Sequence, residues 1–101
     1  GNEQNDTITD PSGTNVINGG PDNDNLTGGS GNDQIFGDGN LAQAGDDTLV
    51  GGAGSDLLNG VAGNDTINSV DGVADTVNGG PHTTADNCTT EAIDTVFNCN
   101  P

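Results

Sequence analysis

Residues 28–36 read GGSGNDQIF and residues 51–59 read GGAGSDLLN. Laid over each other, both carry glycine at positions one, two and four, aspartate at six and an aliphatic at eight. Working outward, GNEQNDTIT (1–9), DPSGTNVIN (10–18) and GGPDNDNLT (19–27) run without a gap into the first of them. Then come GDGNLAQAGDDTLV (37–50), with five extra residues, and GVAGNDTIN (60–68), in which Val61 replaces the second glycine. SVDGVADTVN (69–78) has one extra residue, GGPHTTADNCT (79–89) two, and TEAIDTVF (90–97) is one short. The sixth position reads Asp6, Asn15, Asp24, Asp33, Asp47, Asp56, Asp65, Asp75, Asp86 and Asp94, and the eighth Ile8, Ile17, Leu26, Ile35, Leu49, Leu58, Ile67, Val77, Cys88 and Val96.

A nine-residue unit with one aliphatic spells a short strand that points one side chain inward, followed by a turn whose glycines supply positive φ and close approach. Such a unit has no core of its own, so it must stack on copies of itself. Two units make one coil of a flattened solenoid, and each face then sees every second unit. The ten units predict an all-β fold, a parallel β-roll or right-handed β-solenoid of about five coils with two nonapeptide units per coil.

Composition sets the second constraint. The 101 residues hold 16 acidic groups and no Lys or Arg, and only 28% are hydrophobic. Low hydrophobicity with high net charge would ordinarily give a disordered acidic linker, but the fixed nine-residue phase argues against that. The uncompensated charge calls for a cationic partner. A polybasic protein would serve, yet carboxylates interleaved with glycine carbonyls suit a hard, oxygen-seeking cation better. Nucleic acid and anionic membranes are disfavoured as partners by the same charge, and no apolar stretch is long enough to insert in a bilayer.

The units resemble the RTX (repeats-in-toxin) nonapeptide, Gly-Gly-x-Gly-x-Asp-x-aliphatic-x, of the haemolysin-type calcium-binding β-rolls. Units 28–36 and 51–59 match it at every defined position, and the resemblance covers nearly the whole chain. It implies Ca²⁺ in the turns between successive coils, held by turn carbonyls and by the sixth-position aspartates Asp6, Asp24, Asp33, Asp47, Asp56, Asp65, Asp75, Asp86 and Asp94. Several ions are expected, up to about eight, one per gap between coils on each side. The turns around Asp33 with Asp56 and Asp47 with Asp65 should bind most strongly. Weaker binding is expected where Asn15 replaces aspartate, where Val70 and Asp71 alter the turn, and where Pro81, His82 and Thr83 interrupt the glycine pattern. Asp22, Asp38, Asp46 and Asp71 fall outside the sixth position and are read as solvated surface carboxylates. Segment 39–43 should bulge as a tolerated insertion.

Cys88 takes an inward eighth position and Cys99 follows the last unit. An even cysteine pair in an acidic, repetitive chain reads as an extracellular disulfide closing the open end of the core. The chain is thus one RTX-type β-roll domain over 1–101, with 84–101 as a C-terminal cap closed by the disulfide. Cysteine is foreign to the RTX consensus, which weakens a carry-over of type I secretion and sets export through an oxidising compartment beside it; either route leads to the extracellular space or the cell surface.

The resulting function is a calcium-binding extracellular structural or adhesive module that folds on Ca²⁺ binding. The alternative is a subunit that stacks end to end on itself into a calcium-stabilised fibre or surface layer. Ice binding ranks lower, because Asn25 interrupts the row Thr7, Thr48, Thr66. Enzyme activity is not expected: the single His82 has no nucleophile or second base near it, and a catalytic partner domain would need residues beyond this roll. Acid is expected to act like chelation, by protonating ligands and releasing metal.

Overall fold

A computed structural model describes residues 3–39, 42, 44–81 and 86–99. Ten strands of three residues each follow the repeat: β1 (Thr7–Thr9), β2 (Val16–Asn18), β3 (Asn25–Thr27), β4 (Gln34–Phe36), β5 (Thr48–Val50), β6 (Leu57–Asn59), β7 (Thr66–Asn68), β8 (Thr76–Asn78), β9 (Asn87–Thr89) and β10 (Thr95–Phe97). They form two five-stranded parallel sheets, ordered β1-β3-β5-β7-β9 and β10-β8-β6-β4-β2. Among the described residues there is no helix. The chain is an all-β parallel solenoid, as the period predicts. Its path completes four full turns between β1 and β9, slightly fewer than the expected five coils, because five stacked strands of one sheet have four steps between them.

Register follows the eighth position throughout. Ile8 pairs with Leu26, Leu26 with Leu49, Leu49 with Ile67 and Ile67 with Cys88. On the other sheet Ile17, Ile35, Leu58, Val77 and Val96 pair in the same way. A three-residue strand has one inward position, so a slip by one residue would put a polar neighbour into the core and expose the aliphatic. The seven residues Ile17, Leu26, Ile35, Leu49, Leu58, Ile67 and Val77 form the buried core, with Ile8, Cys88 and Cys99 packed against it. Val96 belongs to this row but remains 39% exposed in the last strand of its sheet.

Outward positions carry Thr, Asn and a few apolar groups. Asn25 stands in register between Thr7 and Thr48, which interrupts the threonine row as anticipated.

Cys88 and Cys99 are joined by a disulfide across a sequence separation of 11, with Cα atoms 5.9 Å apart. The bridge ties β9, in one sheet, to the segment leaving β10, in the other. Closing a loop of this size contributes about 2 to 3 kcal/mol. Reduction is therefore expected to raise amide hydrogen exchange first in β9 and β10 while β3 to β7 stay protected. Uniform deprotection of all ten strands would show that the bridge holds more than its own end.

Candidate metal centre

Each turn that leads into a strand is stacked on the equivalent turn of the neighbouring coil, and the sixth-position aspartate is the stacking element. Its Oδ1 accepts the backbone N–H of the sixth residue one coil earlier: Asp6 donates to Asp24 (2.7 Å), Asp24 to Asp47 (2.7 Å), Asp47 to Asp65 (2.9 Å) and Asp65 to Asp86 (2.8 Å). On the second stack Asn15 donates to Asp33 (2.9 Å), Asp33 to Asp56 (2.8 Å), Asp56 to Asp75 (2.7 Å) and Asp75 to Asp94 (3.0 Å). The structure thus brings together the sixth-position residues in two ladders, one on each side of the roll.

The second carboxylate oxygen is the informative one. Oδ2 of Asp24, Asp33, Asp47, Asp56, Asp65 and Asp75 is buried and accepts no hydrogen bond from the protein. An anionic oxygen removed from water without a partner is costly, and one such oxygen recurring in turn after turn demands a common counter-charge. What faces these oxygens is a further acceptor. A Cβ placed on Gly28 would stand 2.6 Å from Asp33 Oδ2 and 2.7 Å from the Gly51 carbonyl oxygen of the next coil. At Gly60 it would meet Asp65 Oδ2 and, at 2.8 Å, the carbonyl oxygen of Gly79. Carboxylate and carbonyl oxygens converge beside the first glycine of the turn, where a side chain would fill the space. Two acceptors aimed at one point repel unless a cation lies between them, and oxygen-only ligation by mixed carboxylates and carbonyls fits Ca²⁺. Among the described residues no three Asp, Glu, His or Cys side chains group as a metal cluster, so backbone carbonyls must supply much of any ligand shell.

Electrostatics agree. Burial pushes Asp47 and Asp65 up to about 7 and Asp38 and Asp75 up to about 6, with repulsion from neighbouring carboxylates adding to it. Asp24 and Asp56 are raised for the same reasons, burial first. These six carboxylates sit in an environment that resists their charge.

A family model described as the RTX calcium-binding nonapeptide repeat, in four copies, matches residues 12–40 and 41–73, more than half of the chain. The chain belongs to the RTX calcium-binding nonapeptide repeat family. RTX repeats bind Ca²⁺, and this family is a structural calcium-binding type rather than a catalytic one. No curated protein and no solved structure matches the chain.

Within this RTX roll the expected ligands differ in their surroundings. Asp24, Asp33, Asp47, Asp56, Asp65, Asp75 and Asp86 are buried, and Asp6, Asn15 and Asp94 are half-buried. Asp94 stands apart because both of its oxygens are used. Oδ1 accepts from Asp75 N–H, and Oδ2 accepts from the Ser69 hydroxyl (2.7 Å) and from Glu91 N–H (2.8 Å). Burial pushes its pKa up, but these hydrogen bonds outweigh burial and hold it below the usual value. Ser69 occupies the place of the first glycine in its unit, and Glu91 Oε1 accepts the N–H of both Asp71 and Gly72 at 2.6 Å. Side chains therefore close the turn where Val70 and Asp71 depart from the RTX pattern. The sequence reading missed Ser69 and Glu91, although a hydroxyl in a glycine's place was the visible signal.

Two readings of the carboxylates outside the register hold and two need correction. Asp22 and Asp46 are exposed as expected. Asp71 is half-buried and its Oδ2 accepts Gly54 N–H at 2.9 Å, which makes it part of the turn. Asp38, expected at the surface, is buried. Its carboxylate instead accepts the N–H groups of Gly45 and Ala62. Residues 40, 41 and 43 of the expected bulge, and His82 and Thr83 of the interrupted turn, lie outside the described residues.

Proposed function

We propose that this RTX roll is an extracellular calcium-binding structural or adhesive module in which ion binding and folding are one event. Asp24, Asp33, Asp47, Asp56, Asp65 and Asp75 would each contribute a ladder oxygen to an ion between coils, with Asp6 and Asp86 completing one stack. The observation that carries this reading is the set of buried Oδ2 atoms without a hydrogen-bond donor, of which those of Asp24, Asp33, Asp47 and Asp65 lie beside a turn glycine together with a carbonyl oxygen of the next coil. Asp94, already holding three hydrogen bonds, would serve with the disulfide as a cap over residues 84–101 rather than as a ligand. An oxidised cysteine pair and a fold that needs abundant Ca²⁺ both favour a place outside the cell. Among the described residues no helix is long and apolar enough to cross a membrane.

Calorimetric titration with Ca²⁺ tests the assignment. Asp56→Asn keeps an oxygen for the Asp33 N–H but removes the charge, and it should weaken the sites it borders at least tenfold, about 1.4 kcal/mol or more. Asp22→Ala removes an exposed carboxylate that accepts only the Gln4 N–H among the bonds described, and should titrate like wild type. Equal losses in both variants would place the ions elsewhere.

A further inference from the structure

One buried carboxylate lies outside the nonapeptide register. Asp38 follows Gly37, the first residue of the stretched unit, and is 1% exposed. Its Oδ2 accepts two long hydrogen bonds, from Gly45 N–H across its own turn and from Ala62 N–H one coil on, both 3.3 Å. Its Oδ1 is buried and accepts none. In regular turns the second position is a glycine in the left-handed region, as at Gly20, Gly29, Gly52 and Gly80. Asp38 is not left-handed, so its side chain takes a course that the consensus turn does not offer.

Its surroundings point to a ligand role. A Cβ on the preceding Gly37 would meet Asp47 Oδ2 and the Gly60 carbonyl oxygen, which places Asp38 next to one of the convergent acceptor pairs described above. Asp24, Asp47 and Asp65 all lie within electrostatic reach of its carboxylate. A fourth anion added to this stack, with one oxygen unpartnered, raises the local repulsion unless a cation takes up that oxygen.

We propose that Asp38 is a calcium ligand from outside the repeat, adding a second carboxylate to the ion site shared by Asp47 and the turns at Gly37 and Gly60 and making it the tightest site of the chain. The proposal rests on the calcium reading of the ladders. A second carboxylate raises the charge of the donor set, which is the variable that tunes calcium affinity across otherwise similar sites. It also makes this the first site to take up Tb³⁺, whose higher charge gains more from each added carboxylate.

The test compares wild type with Asp38→Asn, which keeps an oxygen for the Gly45 and Ala62 N–H groups. Ca²⁺ is titrated by calorimetry and Tb³⁺ by its directly excited luminescence, with circular dichroism at saturating Ca²⁺ as the folding control. The variant should fold, lose the tightest class of sites by at least tenfold, and leave the remaining classes unchanged. Wild-type binding with an unchanged Asp38→Asn curve overturns the role of Asp38 and leaves the ladder sites standing. A wild type that binds no calcium overturns both. If the variant does not fold, calcium anomalous scattering from crystals of the loaded wild type decides. An ion within about 2.6 Å of Asp38 Oδ1 is expected, and an Asp38 without an ion in contact overturns the proposal.

Discussion

Excess EGTA at neutral pH is expected to abolish the β circular dichroism of this chain, and added Ca²⁺ to restore it. Each unit buries a single aliphatic side chain, and the burial of one such group cannot offset the conformational entropy of ordering nine residues. Against folding stand 16 acidic groups without a Lys or Arg, and the ladders hold a run of them inside the roll. Without metal, Asp24, Asp33, Asp47, Asp56, Asp65 and Asp75 each keep a buried oxygen with no donor. Bound calcium would remove both costs at once, and its binding free energy would then be folding free energy. Mg²⁺ should substitute poorly, because it requires a tight octahedron and gives up its water reluctantly, whereas Ca²⁺ accepts mixed carbonyl and carboxylate oxygens in a flexible geometry. A β spectrum unchanged by chelator would sink the coupling of folding to metal.

Opposite pH responses with and without calcium are the second large effect expected. In the metal-free fold Asp47 and Asp65 titrate near 7 and Asp38 and Asp75 near 6, against an ordinary value of 3.8. A raised folded value means that the folded state binds more protons than the unfolded one between those limits. The associated stability is complete below about pH 4 and is lost as pH rises through 6 to 7. In EGTA, then, lowering the pH from 8 towards 4 should return β structure. With calcium the order reverses, because the ion requires ionised ligands and protons compete with it: affinity should fall as pH drops below about 7. Acid and chelator are therefore not equivalent, contrary to what the sequence suggests, since acid removes the metal but also neutralises the groups that needed it. Circular dichroism against pH, in EGTA and in saturating Ca²⁺, provides the check. A chelated chain that gains no structure between pH 7 and 4 would show that burial in the ladders does not control their protonation.

The sequence by itself determined the register, the sheets and the ladder residues. A period of nine with aspartate at six and an aliphatic at eight leaves one inward position in each three-residue strand, so Ile8, Leu26, Leu49, Ile67 and Cys88 could face only one another. The disulfide was legible for the same reason, because Cys88 occupies an inward place at the end of that row. Tertiary structure decided what the repeat does not encode. It assigned the two oxygens of Asp24, Asp33, Asp47, Asp56 and Asp65, one to a backbone N–H of the coil before and one to the space beside a glycine, a division that exists only once coils are stacked. It closed the second oxygen of Asp94 with Ser69 and Glu91, residues that a linear register treats as unrelated. It buried Asp38 against the N–H groups of Gly45 and Ala62, a placement that depends on the neighbouring coil. Periodicity fixes what every repeat shares; the exceptions at Asp38 and Asp94 each include a contact between residues 24 or 25 apart in the chain, which only stacking creates.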